Sequence, residues 1–216
     1  TTTDARLEGW PRIELSVAQL LAPATVLNLL EHYAMYERST DSGAARTAKL
    51  LPRYPQYEAA EAVVARIAEG TRRRGLIYHT QGSGKTLAMT WIAARLVLDE
   101  RFKRPAVIAV ADRTQLVTQT YQQFVRAGTP DPIQAGSARE LHRALADGYR
   151  GIIATTVHKF KDAGHLSDRD DVIVLIDEAH RTQEGTLGQQ MRAALPNAYW
   201  FGFTGTPVAS DTHNTF

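Results

Sequence analysis

Two short stretches hold most of the chemistry available to this sequence. His79-Thr80-Gln81-Gly82-Ser83-Gly84-Lys85-Thr86 gathers two glycines, a lysine and a threonine into one turn. Backbone N–H groups of such a turn point inward at phosphate oxygens, and Gly82 and Gly84 let the backbone approach with no Cβ in the way. Lys85 would reach the β/γ-phosphates of a nucleotide, and the Thr86 hydroxyl would ligate Mg²⁺. The general pattern G-x-x-x-x-G-K-[ST] wants glycine at position 79, where this chain has histidine. Roughly ninety residues later, the apolar run 172–176 leads straight into Asp177-Glu178-Ala179-His180. A carboxylate at a strand end is held rigidly. Asp177 would take the Mg²⁺, usually through its water, and Glu178 would orient or deprotonate an attacking water. Read alone, the acidic pair could equally be the start of a helix, where Asp and Glu are favoured.

Three further stretches add to this. Gly202-Phe203-Thr204-Gly205-Thr206-Pro207 flanks a glycine with two hydroxyls, a turn able to hydrogen-bond the acidic motif and sense the γ-phosphate. The Gln56 side chain donates and accepts at once, as reading an adenine edge requires, and Tyr54 or Tyr57 could stack on the base. Ala111-Asp112-Arg113-Thr114-Gln115 and Thr155-Thr156-Val157-His158-Lys159-Phe160 offer hydroxyls, a helix start and the cations Arg113 and Lys159. That set suits nucleic-acid backbone contacts; helix capping by Thr114 or Thr155 explains the hydroxyls equally well. Seven histidines show no metal-ligand spacing.

The elements that must position these residues alternate along the chain. Apolar strands are expected at 75–79, 105–111, 151–155, 172–176 and 199–203, with helices at 85–99, 113–127, 137–147 and 187–195. Continuous apolar strands alternating with helices predict a parallel sheet covered on both faces, with ligands at the carboxyl ends of its strands. Every motif above sits at such an end. A helix opens at Arg53-Tyr54-Pro55-Gln56 and ends at Gly70. Residues 1–49 lie outside the alternation. Ser16 would cap a short helix over Val17 to Leu21, helical spacing resumes from Ala24 to Tyr36, and Ser39 to Ala45 read as a loop. The segment is expected to be a small helical element that packs on the main domain or links it to something upstream.

Composition narrows the class. The 216 residues can bury one good core, with no cysteine for a disulfide or thiolate metal site. A reducing compartment is allowed. No apolar run reaches membrane-spanning length, and no signal-peptide pattern opens the chain, which begins Thr1-Thr2-Thr3 without Met, as a fragment would. A net charge of +2 does not by itself call for a nucleic-acid partner, and the runs at Arg72-Arg73-Arg74 and Arg101 to Arg104 read first as solvated faces.

In this order the motifs resemble the first RecA-like motor domain of superfamily 2 helicases and translocases. Such motors often carry only the G-x-G-K-T core of the phosphate loop. Tyr54-Pro55-Gln56 resembles the Q motif, His79 to Thr86 motif I, Asp112-Arg113 with Leu116 and Gln119 motif Ia, Asp177 to His180 motif II, and Gly202 to Pro207 motif III. The strings RYPQYEAA, HTQGSGKT, DEAHRTQEG and ALPNAYWFGFTGTP are similar to the motor subunit of type I restriction–modification enzymes over residues 50–216. The resemblance implies a three-layer α/β sandwich that binds ATP and Mg²⁺ in a cytoplasmic bacterial or archaeal enzyme. It implies an ATP-dependent translocase on double-stranded DNA, working with specificity and methyltransferase subunits. A nuclease domain would lie upstream, and a second lobe with an arginine finger downstream. Nucleotide binding falls to Tyr54, Gln56, Thr80, Gln81, Gly82, Ser83, Gly84, Lys85 and Thr86, and catalysis to Lys85, Asp177 and Glu178, with Thr86 and Asp177 on the metal. Coupling falls to His180, Thr204, Gly205 and Thr206, and DNA contact to Arg113, Thr155, Thr156 and Lys159. Another superfamily 2 helicase or restriction motor is the alternative, as is a nucleotide-binding module that does not hydrolyse; intact Lys85, Thr86, Asp177 and Glu178 argue against the last.

Overall fold

The computed structural model describes residues 12–39, 46–80, 82–161, 163–179, 186–205, 209–210 and 213–214. The N-terminal segment comprises α1 (Arg12–Leu20), α2 (Pro23–Asn28), a π-helical turn (Leu29–Tyr33) and strands β1 (Met35–Ser39) and β2 (Arg46–Leu50). There follow α3 (Tyr54–Glu69), β3 (Arg74–Tyr78), α4 (Lys85–Leu98), β4 (Ala106–Ala111), α5 (Thr114–Arg126), β5 (Ile133–Gln134) and α6 (Ala138–Ala146). The last elements are β6 (Gly151–Thr156), β7 (Val172–Ile176), α7 (Thr186–Ala194), β8 (Tyr199–Thr204) and the two-residue strands β9 (Ala209–Ser210) and β10 (His213–Asn214).

Six strands form one sheet in the order β3-β8-β7-β4-β6-β5, every neighbouring pair parallel. The strand residues of β4, β6, β7 and β8 are buried throughout, as a sheet covered on both faces requires. Successive side chains part to opposite faces. Val107, Ala109, Ile173, Leu175, Phe201 and Phe203 join α3, α4 and Phe124 in one layer. Ala106, Ile108, Val110, Val174, Ile176 and Trp200 join Leu141, Leu145 and Met191 in the other. This is the α/β three-layer sandwich expected from the alternation. Short β5, an edge strand, carries no apolar run and was not expected.

The N-terminal segment departs from the expected reading. Helical spacing over Ala24 to Tyr36 ends instead in the π turn at Tyr33, and the chain becomes extended at Ala34. Met35–Ser39 then pairs antiparallel with Arg46–Leu50. The turn rotates Leu29 and Tyr33 inward, and the strand brings Met35 down beside them, all three in the core shared with α3 and α4. A five-residue run such as Met-Tyr-Glu-Arg-Ser satisfies either period, so packing rather than pattern decided it. The Trp91 indole N–H on α4 donates to the Tyr33 carbonyl at 3.0 Å, both buried. Tyr33 meets Tyr57 edge to face with ring centroids 5.3 Å apart, and its hydroxyl donates to Glu61. Trp91→Phe keeps the ring's apolar bulk but strands that carbonyl, so it should lower unfolding free energy by about 1–3 kcal/mol in urea titrations. An unchanged midpoint would mean that the segment is not docked on α4 in solution.

Candidate nucleotide site

Three adjacent strands, β3, β8 and β7, deliver the glycine-rich loop, Thr204-Gly205 and Asp177-Glu178 to one end of the sheet. The β3–β8 ladder runs on past Tyr78, with the His79 N–H donating to the Thr204 carbonyl at 3.0 Å. The loop then closes on itself. The Thr80 carbonyl accepts from the Ser83 N–H at 3.1 Å and from the Ser83 hydroxyl at 2.6 Å. Gly82 and Gly84 take φ of +78° and +84°, which only glycine adopts without strain. A Cβ on Gly84 would stand 2.6 Å from the Gln56 amide nitrogen. Helix α4 starts at Lys85, so its first-turn N–H groups, which have no intrahelical acceptor, and its positive dipole end face the cleft.

The acidic pair faces that loop. The Asp177 N–H donates to the Val110 carbonyl at 2.9 Å, which holds it in register with the sheet. Glu178 takes φ +51°, an uncommon conformation for a non-glycine residue and one that concentrates at functional sites. The Asp177 carboxylate accepts the Glu178 N–H at 3.0 Å and so steadies this turn. Lys85 Nζ lies 2.7 Å from Glu178 Oε1, with the lysine side chain only 9 % exposed. Burial pushes the Asp177 pKa up, the Glu178 charge adds to that, and Lys85 opposes it. Among the described residues no group of three or more His, Cys, Asp or Glu side chains could hold a metal ion. One carboxylate and one hydroxyl, Asp177 and Thr86, fit Mg²⁺, which keeps several waters and shares phosphate oxygens with them.

The base side differs from expectation. Gln56 is 4 % exposed and spends both ends of its amide internally. Its oxygen accepts the Arg53 N–H at 2.8 Å and caps α3, while its nitrogen donates to the Ser83 carbonyl at 2.8 Å and lies 3.4 Å from the Gly84 carbonyl. In this conformation Gln56 supports the loop and presents no edge to a base. Tyr54 stays half-buried at the start of α3, its hydroxyl bonded to Gln19 of α1. Nothing local marks Gln19 as a support, because it lies 35 residues from Tyr54. Thr204 is buried at the end of β8 and Gly205 is half-buried beside it. Gln81, His180 and Thr206 lie outside the described residues.

The DNA-contact candidates separate. Arg113 is exposed at the end of β4, and Lys159 is half-buried on the 3₁₀ turn after β6. Thr155 is a correction: it is fully buried, and its hydroxyl donates to the Ala135 carbonyl at 2.9 Å, stitching β6 to the loop after β5. Thr156 is 5 % exposed. Their strand lies inside a sheet covered on both faces, so both consecutive threonines are buried although their side chains point to opposite sides. Exposed Thr114 and Gln115 at the start of α5, and His158 with its ring 4.0 Å from Asp112, stand instead beside Arg113.

A profile of the SWI2/SNF2 ATPase family matches residues 55–216. The chain belongs to that family. This SWI2/SNF2 domain is 31 % identical over 238 residues to the type I restriction enzyme HindI endonuclease subunit of Haemophilus influenzae, an alignment covering 98 % of this chain and 22 % of the relative. It thus spans about a fifth of the length of that curated relative. Among solved structures, the UvsW helicase from bacteriophage T4 superposes with a TM-score of 0.57 at 17 % identity, over 87 % of this chain and 61 % of that one. A nuclease-deletion mutant of the type ISP restriction-modification enzyme LlaGI, solved with a DNA substrate mimic, superposes at 0.51 and 18 % identity, over 72 % of this chain and 17 % of that one. At these identities the superpositions speak for the fold alone, an α/β fold shared with RecA-like helicase structures. No described helix of the SWI2/SNF2 domain is long and apolar enough to cross a membrane.

Proposed function

We propose that this chain is the nucleotide-binding lobe of an ATP-dependent double-stranded DNA translocase in a type I restriction endonuclease motor subunit. The observation that carries the reading is the meeting of Lys85 and Glu178 across the cleft, at the start of α4 and the end of β7. Bound Mg·ATP supplies the γ-phosphoryl group and a cation that neutralises charge in its transfer. This lobe supplies the groups that follow. Loop N–H groups at Gly82 and Gly84, with those of Lys85 and Thr86 opening α4, hold phosphate oxygens, while the Ser83 N–H closes the turn on the Thr80 carbonyl. Gln81 belongs to the same loop, and the Lys85 ammonium leaves Glu178 to join the phosphates. Thr86 and Asp177 would hold the metal. Glu178, freed from the lysine, orients the attacking water and takes its proton. Tyr54 is the base-stacking candidate, with Gln56 behind the loop. Thr204 and Gly205, with His180 and Thr206, relay the state of the site to the rest of the motor. Specificity and methyltransferase subunits are the partners this reading implies, in the bacterial or archaeal cytoplasm.

Strand order supports a division of labour. The nucleotide motifs end β3, β8 and β7, whereas Asp112-Arg113 and Val157 to Phe160 end the next two strands, β4 and β6. Arg113 and Lys159, with Thr114 and Gln115 at the N-terminus of α5, are the backbone-contact set. A translocase moves over any sequence, so contacts should go to phosphate. Binding of duplex DNA, followed by fluorescence anisotropy, should be nearly independent of sequence and fall steeply with salt. Arg113→Ala should lower the salt slope by about one and weaken all sequences alike. A strong preference for one sequence would overturn this part of the reading.

A further inference from the structure

We infer that His79 is a positioning residue that preforms the glycine-rich loop by tying Ser83 to the paired ends of β3 and β8. The inference rests on the nucleotide-binding reading above and adds a residue to it. Position 79 is where the general loop pattern has glycine, yet the backbone here does not need one: His79 is not among the residues with positive φ. What the position carries is therefore decided by its side chain. That side chain is not free surface, since His79 is 6 % exposed. Its Nδ1 lies 3.2 Å from the Ser83 hydroxyl, and because that hydroxyl donates to the Thr80 carbonyl, the neutral ring donates to it from Nδ1. The His79 N–H meanwhile fixes the loop to the end of β8 through the Thr204 carbonyl. One residue thus joins the phosphate loop to the last strand of the site.

Ser83 is held from two sides. The Gln56 amide grips its carbonyl at 2.8 Å, and the imidazole grips its hydroxyl, which reaches back to the Thr80 carbonyl at 2.6 Å. Two side chains, each over nine-tenths buried, converge on one residue of an otherwise glycine-lined turn. Burial, and then the Lys85 charge, push the His79 pKa down, which keeps the ring neutral beside a site meant for phosphate. A loop held in this way has less conformational freedom to lose when a ligand binds. The ring acts on the loop and not on the base, so its contribution should be shared by any polyphosphate.

The test compares His79→Ala, His79→Asn and His79→Gln. The Asn amide falls near the position of Nδ1 and can restore the link to Ser83; the Gln amide reaches past it. Amide hydrogen exchange without nucleotide reads the loop directly. His79→Ala should speed exchange of residues 82–86 about five- to tenfold, the scale of one lost hydrogen bond, and leave β4 and β7 unchanged. Titration calorimetry should show Mg·ATP and magnesium tripolyphosphate weakened by the same factor, again about five- to tenfold. His79→Asn should recover most of both effects and His79→Gln little of either. That contrast decides the matter even if the alanine variant unfolds. Unchanged loop exchange in the variants, or weakening confined to ATP with tripolyphosphate unaffected, would overturn the inference. Failure of the unsubstituted protein to bind either ligand would instead count against the nucleotide-binding reading, and the exchange comparison would still decide whether His79 holds the loop.

Discussion

Glu178→Gln should leave Mg·ATP bound and stop its turnover. The substitution keeps the size and planar shape of the side chain and removes its charge and basicity. In the structure that charge pairs with Lys85 at 2.7 Å. A phosphate must draw the same ammonium away, so the carboxylate competes with the nucleotide for one cation. Neutralising it should hold ATP affinity at the native level or tighten it. The proton of the attacking water then has no acceptor in place, and loss of a general base costs typically 10²–10⁴-fold. Steady-state ATPase assays of the motor protein should therefore fall at least about 10²-fold, while calorimetry shows no loss of affinity. Near-native turnover would remove Glu178 from the role of base. Asp177→Asn should behave differently. Its amide oxygen can still accept the Glu178 N–H and keep the turn at φ +51°, but with the negative charge gone metal affinity should fall.

Residues 1–216 alone should bind ATP and hydrolyse it near the background rate, with no rise when double-stranded DNA is added. On the function proposed above, the three strand ends around the loop supply a phosphate cradle, a cation, a metal ligand and a water-orienting carboxylate. An arginine finger comes from outside this set in the resembled motors. Where it has been measured in P-loop enzymes, such a finger is worth about 10³–10⁵ in rate. One lobe also walls the cleft on one side only, so water screens the charges that must stabilise the transition state. On the proposed two-lobe reading, a longer protein that carries a second lobe should show DNA-stimulated turnover. Brisk DNA-stimulated hydrolysis by residues 1–216 would contradict the two-lobe account. A rate rising with the square of protein concentration would show an arginine acting between copies.

What the sequence could tell depended on how local each feature was. Apolar runs such as Val-Ile-Val-Leu-Ile are too short for helices and apolar on both sides, so their place inside a parallel sheet could be read directly. The Gly-Ser-Gly-Lys-Thr and Asp-Glu-Ala-His stretches could each be placed at a strand end, and the fold brings Lys85 and Glu178 of those stretches into contact. Features set by distant partners were not legible. Nothing near Met35 announces a strand; it forms because the π turn carries Tyr33 under Trp91, 58 positions on. Gln56 has the right chemistry for a base edge, but the close approach of Ser83 and Gly84 turns its amide toward the loop. Thr155 resembles a surface hydroxyl in sequence and becomes an interior one because Ala135 offers it an acceptor.

The central claim, a Mg·ATP site centred on the loop that opens α4, is tested most directly by titration calorimetry of Mg·ATP into the native protein and into Lys85→Ala. The lysine would make charge-assisted contacts of the kind worth about 1.5–3 kcal/mol. Native protein should bind one equivalent of nucleotide, and the folded variant should bind at least about tenfold more weakly. Equal affinity in the two proteins, with the variant's fold intact by circular dichroism, would contradict the account.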